Sequence, residues 1–532
     1  MKKKILVLLL SLPFALKAAT ITSTANGGSW GATTTWVGGH VPATTDDVVI
    51  ATTSGHSVNT ASGFDYCASV TINSNAILNI NGGGVGVIGG LTTNNGTIEG
   101  SGNLGFTGLG TVLTGGGDWS SFSGKLFFYS VNGGQTIDAS VDINSSMTHI
   151  YMEPDASTWT TAGPVRVTNN GIVKTSNGTL TSLNTAYSCN WINAAGATLK
   201  VTGASLTGSK DSLTASASGN MVIYGGSGNY NIKTPVGATY DGLTCAGTGT
   251  VSLAAALTTN NLTVSSGTLD SKTFQVTGNS SGTMTMSSGA TLLLGTTAST
   301  TNVSFPTNFT SANISLDAAS TVKYLAKTAS QSVSVTPTYG NLMIDAGSAI
   351  TKTPSGTPLA IGGNLTINTN ATLSETTNTI NLTGSATING SLTYSSGSLN
   401  IGGDFTNNGT FTEGTGTVTF NGTGTQNING TATTTFNNLT VAGSGSQDVK
   451  LNYALTVNGD VTLSSGDLDV TTSNYGITMY SNGNWTNNGG TFSYHSGTVT
   501  FYGSTIGGSN NSTFYNMEVI GSLSLNSSIR FW

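Results

Sequence analysis

The chain has 532 residues, of which only 7% are charged, and a net charge of −6. An ordinary soluble domain carries about 25% charge. With no basic stripe, nucleic acid is excluded as a natural partner. Glycine supplies 73 residues and proline only 9, and Val, Ile, Leu and Phe recur at short intervals among Thr, Ser and Asn, so the composition specifies short strands and tight turns, not charge-rich disorder.

In chain order, the first element is a leader. Lys2, Lys3 and Lys4 precede an apolar run from Ile5 to Leu16, and Lys17-Ala18-Ala19-Thr20 offers small residues for cleavage. Residues 1–19 read as a secretory signal peptide. No later apolar run reaches 18 residues, so no transmembrane segment is expected. The mature chain is expected to be exported, either secreted or on the outer cell surface of a Gram-negative bacterium.

Residues 20–60 carry the most distinctive motif: Trp30, then Trp36-Val37-Gly38-Gly39-His40-Val41-Pro42, then Asp46-Asp47-Val48-Val49-Ile50. Trp30 and Trp36 are large, rigid groups suited to covering a first coil. Gly38, Gly39 and Pro42 set a turn, and Asp46 and Asp47 precede a strand, so these seven residues form a candidate structural cap. An aromatic patch for carbohydrate is the alternative. Two adjacent carboxylates are too few for the six or more oxygens that Ca²⁺ requires.

Residues 61–217 alternate irregularly and read as a first stretch of β-helix. From residue 218 to 532 a degenerate repeat emerges. Thr417-Val418-Thr419-Phe420 returns as Thr498-Val499-Thr500-Phe501, a shift of 81. Phe436-Asn437-Asn438-Leu439-Thr440-Val441 returns as Phe514-Tyr515-Asn516-Met517-Glu518-Val519, shifted by 78, and Phe405-Thr406-Asn407-Asn408-Gly409 as Trp485-Thr486-Asn487-Asn488-Gly489, shifted by 80. Earlier copies, at Tyr339-Gly340-Asn341-Leu342 and Gly362-Gly363-Asn364-Leu365, lie 97 and 96 residues before theirs. Tyr240-Asp241-Gly242-Leu243 is earlier still. Units of roughly 80–100 residues start near Ser218, Ala318, Gly414 and Ser496, differing by whole rungs or loops, which solenoids tolerate. Within each, apolar residues alternate over four or five positions between Gly- and Asn-rich turns, the period of a half-buried strand. Strand clusters spaced by about 20 residues predict an all-β, right-handed parallel β-helix, in one run or in two consecutive segments, with on the order of 20–25 coils at about 4.8 Å each. Residues Leu523 to Phe531 align with Val449 to Val457 and stop in mid-repeat, so a longer natural protein is expected.

The Trp36 to Ile50 stretch resembles the opening of secreted β-helix proteins common in Bacteroidetes, and is similar to the G8 type of extracellular domain. The Gly-Thr-Val-Thr-Phe-Asn-Gly and Phe-Asn-Asn-Leu-Thr-Val strings resemble repeats of large surface proteins from the same bacteria. That resemblance implies an adhesin-like protein exported by type IX secretion, although no C-terminal sorting domain appears in this chain. Trp119-Ser120-Ser121-Phe122-Ser123-Gly124 resembles autotransporter passenger repeats.

Chemistry is sparse. Cys67, Cys189 and Cys245 fit no metal spacing and read as buried filler. Asp467 and Asp469 share a strand face, Glu153 and Asp155 flank Pro154, and Asp138 and Asp142 lie close together. Each pair reads as solvated surface. His40, His56, His149 and His495 are scattered. No nucleophile elbow, zinc motif or phosphate loop occurs. The expectation is a structural or adhesive rod with no catalytic site, no cofactor, and glycans or cell-surface ligands as possible partners. A carbohydrate-binding or carbohydrate-degrading β-helix is the second reading. A Thr-ranked ice binder is the third, weakened because Asn438 and Asp460 interrupt the rank begun by Thr417.

Overall fold

The computed structural model describes residues 18–107, 111–128, 135–143, 149–152, 165–169, 172–175, 179–181, 189–201, 211–375, 377, 379–444, 448–480, 483–527 and 529–531. The signal-peptide reading, apart from Ala18 and Ala19, therefore lies outside the described residues.

The chain is a β-solenoid of about 19 turns, divided into two compact units, Met1–Thr214 and Ala215–Trp532. In the first unit the strands Asp47–Ile50, Ser69–Ile72 and Leu91–Asn94 stack in parallel register, Val48 on Val70 and Val70 on Thr92. A second ladder runs through Ser57–Asn59, Ile77–Asn79 and Thr97–Glu99. A third runs from Phe64–Cys67 through Gly84–Val87 and Asn103–Phe106 to Lys125–Phe128.

The second unit shows the same logic at greater length. Leu359, Ile380, Leu399, Val418, Leu439, Val461 and Trp485 lie on successive rungs in one inward file. All seven are nearly inaccessible to water. Their neighbours Ala360, Asn381, Asn400, Thr419, Thr440, Thr462 and Thr486 face outward, because successive side chains on a strand point to opposite sides. Each fully buried Leu, Ile or Val contributes about 1.5–3 kcal/mol. The coil count falls below the sequence expectation because some rungs are longer than 20 residues. Met284 sits on Ile314, and Leu292 on Val322.

The repeated Asn-Leu and Asp-Val dipeptides have a structural cause. Asn341 Oδ1 accepts the backbone N–H of Asn364 at 2.9 Å, Asn364 Oδ1 that of Ser385 at 2.8 Å, Ser385 Oγ that of Asp404 at 3.0 Å, and Asp404 Oδ1 that of Asn427 at 2.7 Å. Asn438 and Asp460 do the same for Asp460 and Asn484, at 2.9 and 2.8 Å. A short acceptor just before the first inward residue thus ties each strand start to the next rung.

Repeat copies do not share a face. Thr417–Phe420 lies between Ser398–Ile401 and Asn438–Val441. Its copy Thr498–Phe501 belongs to another ladder, running back through Ile477–Met479 and Leu455–Val457 to Phe436. The repeat does change by a whole rung, as its drifting length suggests: four rungs climb from Leu342 to Ile428 before the copy at Leu439, and three from Val418 to Trp485 before the copy at Val499. It ends on a different face from the one on which it began. Local architecture nevertheless survives the shift. Tyr224 and Tyr240 join their hydroxyls at 3.2 Å around the backbone of Lys233, and Tyr324 and Tyr339 join theirs at 2.7 Å around Ser334.

Candidate functional site

The N-terminal motif assembles around its tryptophans. Trp30 and Trp36 are 1% and 2% exposed and meet edge to face at 5.2 Å. Trp36 Nε1 donates to Trp30 O at 2.7 Å, and Thr35 Oγ1 to Ser29 O at 2.6 Å. Strand Thr20–Thr22 pairs with Asp47–Ile50 on one side. On its other side, Thr24 N–H donates to Thr35 O at 2.7 Å and Val37 N–H to Thr22 O at 2.9 Å. The motif thus folds antiparallel over an edge that would otherwise expose unpaired backbone groups. Gly38 and Gly39 turn away with φ of 85° and 74°, a region that favours glycine. Pro42 is buried. With both indoles inside, neither offers a ring face to a sugar.

Asp46 and Asp47 diverge. Asp46 closes a turn, accepting Ala43 N–H at 2.8 Å and Ala19 N–H at 3.3 Å. Asp47 accepts the Ser69 hydroxyl at 2.5 Å on the next rung. Among the described residues, no three His, Cys, Asp or Glu side chains gather so as to hold a metal ion. His40 and His56 are exposed. Asp138, Asp142 and His149 lie on strands, while Glu153 and Asp155 fall outside the described residues. Trp119 and Phe122 form a buried edge-to-face pair at 6.0 Å.

The structure brings His495 to Asp469, Nε2 to Oδ1, at 2.9 Å. In the sequence that histidine stands alone, because the partners are 26 residues apart and meet only through rung stacking. Beside them Asp467 accepts Ser493 N–H at 3.0 Å and its hydroxyl at 2.5 Å, and Lys450 pairs with Asp448 at 3.5 Å. Burial lifts the Asp467 carboxyl above its ordinary value, opposed by the Ser493 bonds and reinforced by Asp469 and Asp448. Asp467 and Asp469 thus tie successive rungs together, whereas Asp448 pairs within its own strand.

Two other polar features lie elsewhere. Lys352 is fully buried, its Nζ donating to Ala326 O at 2.6 Å and Gln331 Oε1 at 2.7 Å. Cys67 and Cys245 are buried and free, and burial pushes each thiol up to about 12.

A cleft of about 420 Å³ opens on the second unit, lined by Asn381, Leu382, Thr383, Asn400, Gly402, Asn421, Gly422 and Thr423. It spans three rungs, since Leu382, Ile401 and Phe420 are stacked partners. Two causes shape it. A Cβ on Gly402 would lie 2.3 Å from Thr383 O, and one on Gly422 2.2 Å from Gly402 O, so only glycine lets these rungs stack, and the floor is bare backbone. Inward partners across the corner are four residues apart on the first two rungs, Leu382 to Ala386 and Ile401 to Phe405, but eight apart on the third, Phe420 to Ile428. The longer corner raises a wall. Asn400 Nδ2 donates to Asn381 Oδ1 at 2.8 Å. No pattern of charged residues could have announced this site; its signal is the longer Gly422-Thr423-Gly424-Thr425 corner.

Compared with family models, curated proteins and solved structures, the chain gives no match. No helix among the described residues is long and apolar enough to cross a membrane.

Proposed function

We propose that the chain is an exported surface solenoid with a structural and adhesive role and no catalysis. The observation that carries this reading is the use made of its few carboxylates. Asp46, Asp47, Asp404, Asp460, Asp467 and Asp469 each accept a hydrogen bond that holds a turn or joins successive rungs. General acid–base chemistry needs such groups to be aimed at a substrate. The exterior is hydroxyl and amide, suited to many weak contacts that gain strength by repetition. The basic, then apolar N-terminus supports export.

The test is surface labelling of intact cells together with an attachment assay on a deletion strain. Labelled protein outside the cell, and attachment reduced by deletion, are expected. Protein retained inside the cell, or attachment unchanged by deletion, contradicts the reading.

A further inference from the structure

We propose that the three-rung cleft between Asn381 and Thr423 is a binding site for a neutral oligosaccharide; this rests on the adhesive reading and gives it a ligand. Its volume of about 420 Å³ falls within the range of small-molecule pockets, about 300–1,000 Å³. Every polar side chain in the lining is an amide or a hydroxyl: Asn381, Asn400 and Asn421, with Thr383 and Thr423. With no charge, the lining has nothing to pair with a phosphate, a sialic acid or a basic peptide.

The asparagines fit sugar hydroxyls because each amide offers both a donor and an acceptor, matching a vicinal diol. Asn400 and Asn381 are already locked together at 2.8 Å, so their remaining groups are held in place before a ligand arrives. The Asn421 amide and the Thr383 and Thr423 hydroxyls have no partner among the described residues. The glycine floor at Gly402 and Gly422 lets a flat ring approach the backbone. The lining contains no carboxylate, so the site holds a glycosidic bond without an acid to cleave it.

The experiment is saturation-transfer NMR and calorimetry on the full mature chain, with maltotriose, cellotriose and mannotriose as neutral probes and trigalacturonic acid as the charged one. At least one neutral trisaccharide is expected to bind, more tightly than the acid. Asn400→Ala with Asn421→Ala is expected to weaken it at least tenfold, with an unchanged thermal midpoint showing that the coil is intact. Undiminished binding by the double variant overturns the assignment to this cleft. Binding of none of the neutral probes, or tighter binding of the acid, overturns the ligand class. The parent reading is judged separately by the attachment assay, so the cleft can fail while adhesion stands.

Discussion

Lys352 occupies a position that strand alternation reserves for an apolar side chain, in register with the inward Leu373. Burial lowers its amine to about 8, from 10.5, with Asp345 opposing. Between those values the unfolded chain holds a proton that the folded chain lacks, so this residue makes stability rise with pH across that window. Below about pH 8 both states are protonated and the penalty is constant. Denaturant titrations of wild type and Lys352→Met are expected to diverge in favour of the wild type as pH climbs from 8 towards 10; parallel curves contradict the assignment. Asp467 has the opposite chemistry. Its folded carboxyl titrates above the unfolded one, so its contribution to stability falls as pH rises through the carboxylate range. Asp467→Asn is expected to be more favourable, relative to wild type, at neutral pH than at about pH 3, where both side chains are uncharged. A difference that does not change with pH, read from thermal unfolding, counts against it.

At the scale of single elements, the cap and the glycine corners carry the clearest consequences. Trp36→Ala is expected to cost about 3–5 kcal/mol, and to speed hydrogen exchange in Thr20–Thr22 and Asp47–Ile50, with Trp36→Phe recovering most of the loss. Exchange unchanged by Trp36→Ala contradicts a capping role. Gly282 closes against a rung below, where an added Cβ would lie 1.6 Å from Asn260 O. Gly282→Ala is expected to cost about 1–3 kcal/mol. Gly63, with open space around it, is expected to tolerate alanine within about 0.5 kcal/mol; equal effects in denaturant unfolding contradict the stacking account. Strand character was legible in the sequence because Val418, Phe420, Leu439 and Val441 alternate with Thr and Asn, and inside and outside follow one rule on every face. That same uniformity hid which face a strand occupies. The Thr417–Phe420 motif serves equally well on two ladders, so its repeats could not fix the turn. The pairing of His495 with Asp469, the buried Lys352 and the three-rung cleft depend on rung stacking, which shifts with every added corner residue, and single-strand patterns do not record it.

For the whole molecule, the low charge and the repeating core have one cause. Stacking satisfies backbone N–H and C=O groups between rungs, so the surface can remain hydroxyl and amide. Thr419, Thr440, Thr462 and Thr486 do form one outward file. The adjacent file of Thr417, Asn438, Asp460 and Asn484 is drawn into tying strand starts together, so the threonines do not form the two-dimensional array that ice recognition would use. The central claim is that alternate residues face the inside of a coil in parallel register. Disulfide trapping tests it directly, in a background with Cys67, Cys189 and Cys245 replaced by alanine. Thr366 and Thr387 are outward partners on neighbouring rungs, about 4.8 Å apart and within the reach of a disulfide. Thr366→Cys with Thr387→Cys is predicted to crosslink readily under mild oxidation, while Thr366→Cys with Ile388→Cys, whose second site points into the core, does not. Equal crosslinking of the two pairs, or the reverse preference, would contradict the stacked-coil account.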